Sequence, residues 1–215
     1  MTTQAKICGL STQESVRAAI DNGAKYVGFV FYARSPRNVS IENAAKLANV
    51  AGSDAIKVGV FVNPDDELLT NVLKEVDLDV IQLHGNEPIE RVQYIKKRFD
   101  KKVMKAISIS MVGDISRARE YESKVDMLLF DAKPPTDLEG ALPGGNGLSF
   151  DWNLIAGNEW RVPWMLSGGL NETNVAEAIK ISDADIVDAS SGLETDPGRK
   201  DNNKIVSFMD IVKKA

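Results

Sequence analysis

Residues 57–85 read "KVGVFVNPDDELLTNVLKEVDLDVIQLHG", and they contain the unit from which the whole chain is built. The first six residues are almost continuously apolar and too short for a helix, which suits a parallel strand covered on both faces. Asn63 then offers a helix cap and Pro64 the first helical position, where proline's missing N–H costs nothing. The apolar residues of "LLTNVLKEV" recur at helical spacing before a second strand, residues 80–85, begins. A strand, a helix and a strand follow one another with short connections.

The same alternation extends in both directions. Strand-like runs fall at 5–10, 26–31, 57–62, 80–85, 102–108, 127–132, 164–169 and 185–192. A helix capped by Ser11 or Thr12 stops at Gly23, and another capped by Ser40 stops at Gly52. Further helices are expected within 87–99, 110–123, 171–182 and 200–215. The exception is the Gly- and Pro-rich segment from Lys133 to Pro163, where only "FDWNLIAG" reads as a short helix. Eight strand–helix units in 215 residues predict a single (βα)8 TIM barrel, one domain from residue 1 to residue 215. A doubly wound open sheet is the alternative, because local patterns do not show whether the eighth strand closes on the first.

Composition narrows the function. A hydrophobic fraction of 43% and a charged fraction of 27% are ordinary for a globular protein with a core. The net charge of −5 argues against nucleic acid as a partner. One cysteine excludes an intrachain disulfide and fits a reducing compartment. With no signal-like start and no apolar run of membrane-spanning length, the expectation is a cytoplasmic protein without a membrane partner. The single histidine, His84, excludes a metal site built on a histidine pair. Asp183, Asp185 and Asp188 are spaced too loosely for a calcium loop and read as caps or solvated groups. The basic run "IKKRFDKK" (95–102) reads as a solvated face.

In such a barrel, function lies on the loops that follow the C-terminal ends of the strands. There the chain places Cys8, the loop Ser35–Pro36–Arg37, Gln82 with His84, Asp131, the loop "PGGNG" containing Gly145, then Gly168–Gly169 and Ser190–Ser191–Gly192. Small residues after the seventh and eighth strands suit a phosphate site, since glycine lets backbone N–H groups approach an anion and serine adds donors. Either motif alone would be no more than a tight turn. Strand alternation puts Lys6 and Cys8 on one face and Ile7 on the other. Lys6 beside Cys8 is expected to favour the thiolate. Asp131, at the end of the apolar run "MLLF", is expected to be desolvated and held protonated. Taken singly, such a cysteine is usually core filler and such an aspartate a cap or salt-bridge partner; finding both at the mouth of one barrel changes those odds.

"KICGL", "FYARSPRNVS", "VGVFVN", "IQLHGNE", "LLFDA", "GGNGLSFDW", "LSGGLNETNV" and "DASSGLETDPGRKDNNKI" resemble, in order and over nearly the whole chain, the motifs of the phosphoribosylanthranilate isomerase family. The resemblance implies a (βα)8 barrel without cofactor or metal, acting on a small phosphorylated substrate in tryptophan biosynthesis. The implied reaction is an Amadori rearrangement of N-(5-phosphoribosyl)anthranilate to 1-(2-carboxyphenylamino)-1-deoxyribulose 5-phosphate. It implies Cys8 as general base, Asp131 as general acid and Arg37 as ligand of the anthranilate carboxylate. Lys6, Gln82 and His84 stand as further substrate-binding candidates, and a monomer or homodimer is expected. GGNG for the usual GGTG, DASSG for DVSSG, and "DAKPP" after the acid are small departures that touch loop contacts. The related isomerase of histidine biosynthesis would carry aspartate at the position of Cys8, and indoleglycerol-phosphate synthase would need a lysine and glutamates at strand ends. A barrel that only binds a phosphorylated ligand is the non-enzymatic alternative.

Overall fold

The computed structural model describes residues 2–134 and 142–215, so part of the segment between Lys133 and Pro163 lies outside it. Eight parallel strands form a closed barrel: β1 (Gln4–Cys8), β2 (Tyr26–Phe31), β3 (Ile56–Phe61), β4 (Val80–Leu83), β5 (Lys102–Ile109), β6 (Met127–Ala132), β7 (Trp164–Leu166) and β8 (Ile186–Ala189). The closure that the sequence left open is made by β8 on β1, with Lys6 opposite Asp188 and Ile7 opposite Ala189. The open-sheet alternative is thereby excluded.

Helices α1 (Gln13–Asp21), α2 (Ile41–Ala51), α3 (Asp66–Glu75), α4 (Ile89–Phe99), α5 (Val112–Glu122), α6 (Val175–Ser182) and α7 (Asn202–Val212) form the outer ring, and α7 packs beside α1 to complete it. Four of these seven, α1, α2, α3 and α7, start under a side-chain oxygen that accepts from an otherwise orphaned amide. The Thr12 side chain accepts from Ser15 N–H and that of Ser40 from Asn43 N–H. The third helix corrects the sequence reading: Asp65, not Asn63, is its cap, accepting from Leu68 N–H at 2.8 Å. Asn63 is occupied elsewhere. It adopts a left-handed φ of 47°, its side-chain oxygen accepts from Asn86 N–H, and its own N–H donates to Glu87.

Between β6 and β7 the described residues contain only a 3-10 turn, Trp152–Leu154, in place of a full helix. Bulk substitutes for regular structure there. Trp160 and Trp164 close on Phe130, with ring centroids 4.9 and 5.5 Å away, distances suited to tilted aromatic packing.

The strands are apolar on both faces because they serve two cores. Ile7, Val27, Phe29, Ile81, Leu128 and Phe130 point outward under the helices. Tyr26, Val58, Val80, Met104, Met127, Leu129 and Met165 point inward and fill the lower barrel. A fully buried side chain of this size contributes about 1.5–3 kcal/mol. Above the inward layer, toward the C-terminal strand ends, the interior turns polar. The chain continues past β8 into a 3-10 turn (Ser191–Leu193) and a small antiparallel hairpin, β9 (Glu194–Asp196) and β10 (Arg199–Lys200), before α7.

Candidate active site

The polar upper interior opens into a pocket at the C-terminal face. Ten of the twelve residues singled out in the sequence line it: Cys8, Arg37, Gln82, His84, Asp131, Gly145, Gly168, Gly169, Ser190 and Ser191. Lys6 and Gly192 do not. The pocket has two chemically different walls.

One wall is built by β1 and β8. Lys6 is completely buried below the pocket floor, and its ammonium meets Asp188 Oδ1 at 2.9 Å. Asp188 Oδ2 accepts from Ser167, the residue that follows β7, at 3.2 Å. Asp188 is therefore neither a cap nor a solvated group, in contrast to its exposed neighbours Asp183 and Asp185. Alternation on β8 turns it inward as it turns Asp131 inward on β6. Burial alone would pull Lys6 down, but Asp188 and the adjacent Cys8 outweigh it and hold the ammonium above its usual range. Lys6 thus lies beneath the pocket floor, paired with Asp188, and does not line the pocket.

Cys8 lies above Lys6, nearly buried. Here the electrostatic expectation is revised. Burial pushes the thiol up, Lys6 and Lys200 pull it down, Asp188 pushes it up again, and the net shift is upward. The ammonium does favour the thiolate as the sequence suggested; the loss of water around the sulfur is the larger effect.

The opposite wall comes from β4 and β6. Gln82 Nε2 lies 2.8 Å from His84 Nδ1, and His84 Nε2 lies 3.1 Å from Asp131 Oδ2. Asp131 Oδ1 accepts from Ala132 N–H. The "PGGNG" loop folds over this pair: a Cβ on Gly144 would stand 2.7 Å from Asp131 Oδ2, so only glycine fits. The loop bearing His84 is itself anchored from outside the barrel, where buried Lys105 donates to Gly85 O at 2.9 Å and pairs with Glu87, which accepts from Asn63 and Gly85 N–H. Burial pulls Lys105 below the usual lysine range, with Glu87 opposing it.

At the rim, Gly168 and Gly169 have φ of 95° and 61°, conformations that glycine adopts without strain. A Cβ on Gly169 would press to 2.9 Å on Gly147 O, so the loops after β6 and β7 touch through it. Ser190 and Ser191 face the pocket at the start of the turn Ser191–Leu193, whose first amides have no acceptor within the turn. Gly192 serves packing: a Cβ there would stand 2.9 Å from that of Asn171.

Arg37 is buried, and its Nε and Nη2 donate to Glu194 Oε1 and Oε2 at 2.7 and 2.8 Å. One edge of its guanidinium is therefore occupied, while Nη1 faces the Gly145 loop. Glu194 and Lys200 were missed by sequence reading, although both lie in the "DASSGLETDPGRKD" stretch it quoted. Among the described residues, no cluster of three or more His, Cys, Asp or Glu side chains is arranged to hold a metal ion.

A family model described as N-(5'-phosphoribosyl)anthranilate (PRA) isomerase matches residues 5–211. The N-(5'-phosphoribosyl)anthranilate isomerase of Parvibaculum lavamentivorans is 49% identical over the full length of both chains. Among solved structures, a monomerised form of the dimeric phosphoribosylanthranilate isomerase of Thermotoga maritima is similar, with a TM-score of 0.84, 37% identity, and coverage of 99% of this chain and 100% of that one. A phosphoribosylanthranilate isomerase bound to reduced 1-(o-carboxyphenylamino)-1-deoxyribulose 5-phosphate gives a TM-score of 0.82 at 34% identity, with the same coverage.

Proposed function

Since this chain belongs to the N-(5'-phosphoribosyl)anthranilate isomerase family and catalyses that isomerisation in tryptophan biosynthesis, we propose how its own residues divide the work. Asp131 is the general acid and Cys8 the general base. The observation that carries this is their placement on opposite walls of one pocket, with Arg37 and the glycine and serine loops converging on the same space. Asp131 protonates the furanose ring oxygen, the bond from that oxygen to C1 opens, and a protonated Schiff base forms. The Cys8 thiolate removes the proton from C2, giving an enolamine that tautomerises to the ketone. Burial makes this thiolate a stronger base than an exposed one, while Lys6 and Lys200 act in the opposite sense and keep it attainable.

Arg37 takes the anthranilate carboxylate through Nη1 and the free N–H of Nη2, the edge that Glu194 leaves open. Gly145, Gly168, Gly169, Ser190 and Ser191 surround the phosphate. His84 lies within hydrogen-bonding reach of the acid and Gln82 fixes its ring; we place both beside the substrate. The chain acts as one domain, as a cytoplasmic monomer or homodimer on a small phosphorylated substrate, and without nucleic acid. The acidic net charge and single cysteine support this reading, as does the dimeric relative. Loss of substrate fluorescence, with phosphoribosylanthranilate generated in situ, tests the assignment. Turnover that survives Cys8→Ser and Asp131→Asn together would overturn it.

A further inference from the structure

No residue of the β9–β10 hairpin lines the pocket, yet the hairpin holds two nearly buried charges against the site. Glu194 accepts both bonds from Arg37, one from Lys200 Nζ at 2.6 Å and one from Gly198 N–H at 3.1 Å. Lys200 in turn donates to Ser190 O at 2.9 Å and to its Oγ at 3.3 Å. The hairpin tip is seated on the Ser35–Arg37 loop as well. Gly198, at φ 87°, packs so closely on the Pro36 carbonyl that no Cβ fits. Glu194 thus joins the loop after β2 to the loop after β8. Burial opposes its charge, but Arg37 and Lys200 outweigh that and hold its carboxyl below the usual range.

We propose that Glu194 and Lys200 are positioning residues that fix Arg37 relative to Ser190–Ser191, so that the substrate's carboxylate and phosphate are gripped as one rigid unit. The proposal rests on the roles given above to Arg37 and the serine loop. Arginine is a long side chain whose ordering opposes binding; clamping its Nε edge beforehand removes that penalty and aims the remaining edge. Two cations around one anion also leave the buried group with a net positive charge. An anionic substrate completes it.

Calorimetric binding of the reduced aminoketose phosphate analogue, with inorganic phosphate alone and anthranilate alone as partial probes, tests the brace. Glu194→Gln should weaken the analogue about tenfold or more, the scale of a hydrogen bond to a charged group, and raise KM by a similar factor while kcat changes much less. Lys200→Met should weaken inorganic phosphate more than anthranilate. In the wild-type background the losses from Arg37→Lys and Ser190→Ala should be non-additive, and in the Glu194→Gln background they should add. Wild-type analogue affinity in Glu194→Gln, or a lowered Tm with the folded protein's affinity intact, would overturn the brace. If Glu194→Gln does not fold, equal loss of both partial probes in Lys200→Met does so instead. Full analogue affinity in Arg37→Ala would overturn the underlying carboxylate reading, a result separable from the others.

Discussion

Two lysine–aspartate pairs in this barrel have nearly the same length and opposite circumstances. At the floor of the pocket Lys6 and Asp188 meet at 2.9 Å with side-chain exposures of 0% and 5%. At the other end of the barrel Lys57 and Asp77 meet at 2.8 Å with exposures of 7% and 74%. Distance therefore says little. The exposed pair is screened by water and contributes at most about 1 kcal/mol. The buried pair holds two desolvated charges in place, an arrangement that costs stability unless each partner is fully matched. Charge at the pocket end positions chemistry, whereas at the far end it stabilises a loop.

That contrast can be broken most severely at the acid and the base. Asp131→Asn should fold normally and lose about 10²- to 10⁴-fold in kcat, the usual worth of a general acid, and Cys8→Ser should lose a comparable amount. Near-wild-type turnover in either variant would remove that residue from the chemistry. Next comes the buried pair itself. Asp188→Ala leaves Lys6 charged and unpaired, and denaturant unfolding should show a loss of about 3–5 kcal/mol; a loss under about 1 kcal/mol would erase the difference between the two ends. Arg37→Ala should raise KM about tenfold to a hundredfold, the scale of one or two charged hydrogen bonds, and an unchanged KM with collapsed kcat would contradict its binding role.

The thiol offers a sharper comparison than either pair. Because burial raises Cys8 overall, iodoacetamide should label the free enzyme more slowly at neutral pH than an ordinary thiol of pKa about 8.5, with a rate still climbing above that pH. The sequence alone suggested the reverse, and a labelling rate already at its plateau below pH 7 would restore that first view. The product analogue should protect the thiol. Smallest of all, Asp77→Ala should change stability by no more than about 1 kcal/mol.

The strands were legible because each faces two apolar layers, so that runs such as "YVGFVF" and "MLLFDA" stand out against polar connections. Barrel closure was not, since the β8–β1 pairing is a long-range fact with no local signature. The mouth residues were found because barrel function follows the C-terminal strand ends; strand alternation turned Cys8 and Asp131 inward, and applied to β8 it would have found Asp188. Glu194 and Lys200 had no such marker. They belong to a hairpin too short to read, β10 being two residues long, and their importance lies in partners 157 and 10 positions away. The Asn63 cap failed for a related reason: a distant Glu87 and Asn86 compete for the same groups.

Closure also has a timetable. Asp188 follows Lys6 by 182 residues, which at about 5–20 residues per second of synthesis is a delay of roughly 10–40 s. Throughout that interval the first strand lacks one neighbour and its lysine lacks its counter-ion. The nascent chain can therefore assemble β1 through β7 in sequence, but the pocket floor is completed only when the eighth strand leaves the ribosome. The catalytic mouth is one of the last parts of the molecule to exist.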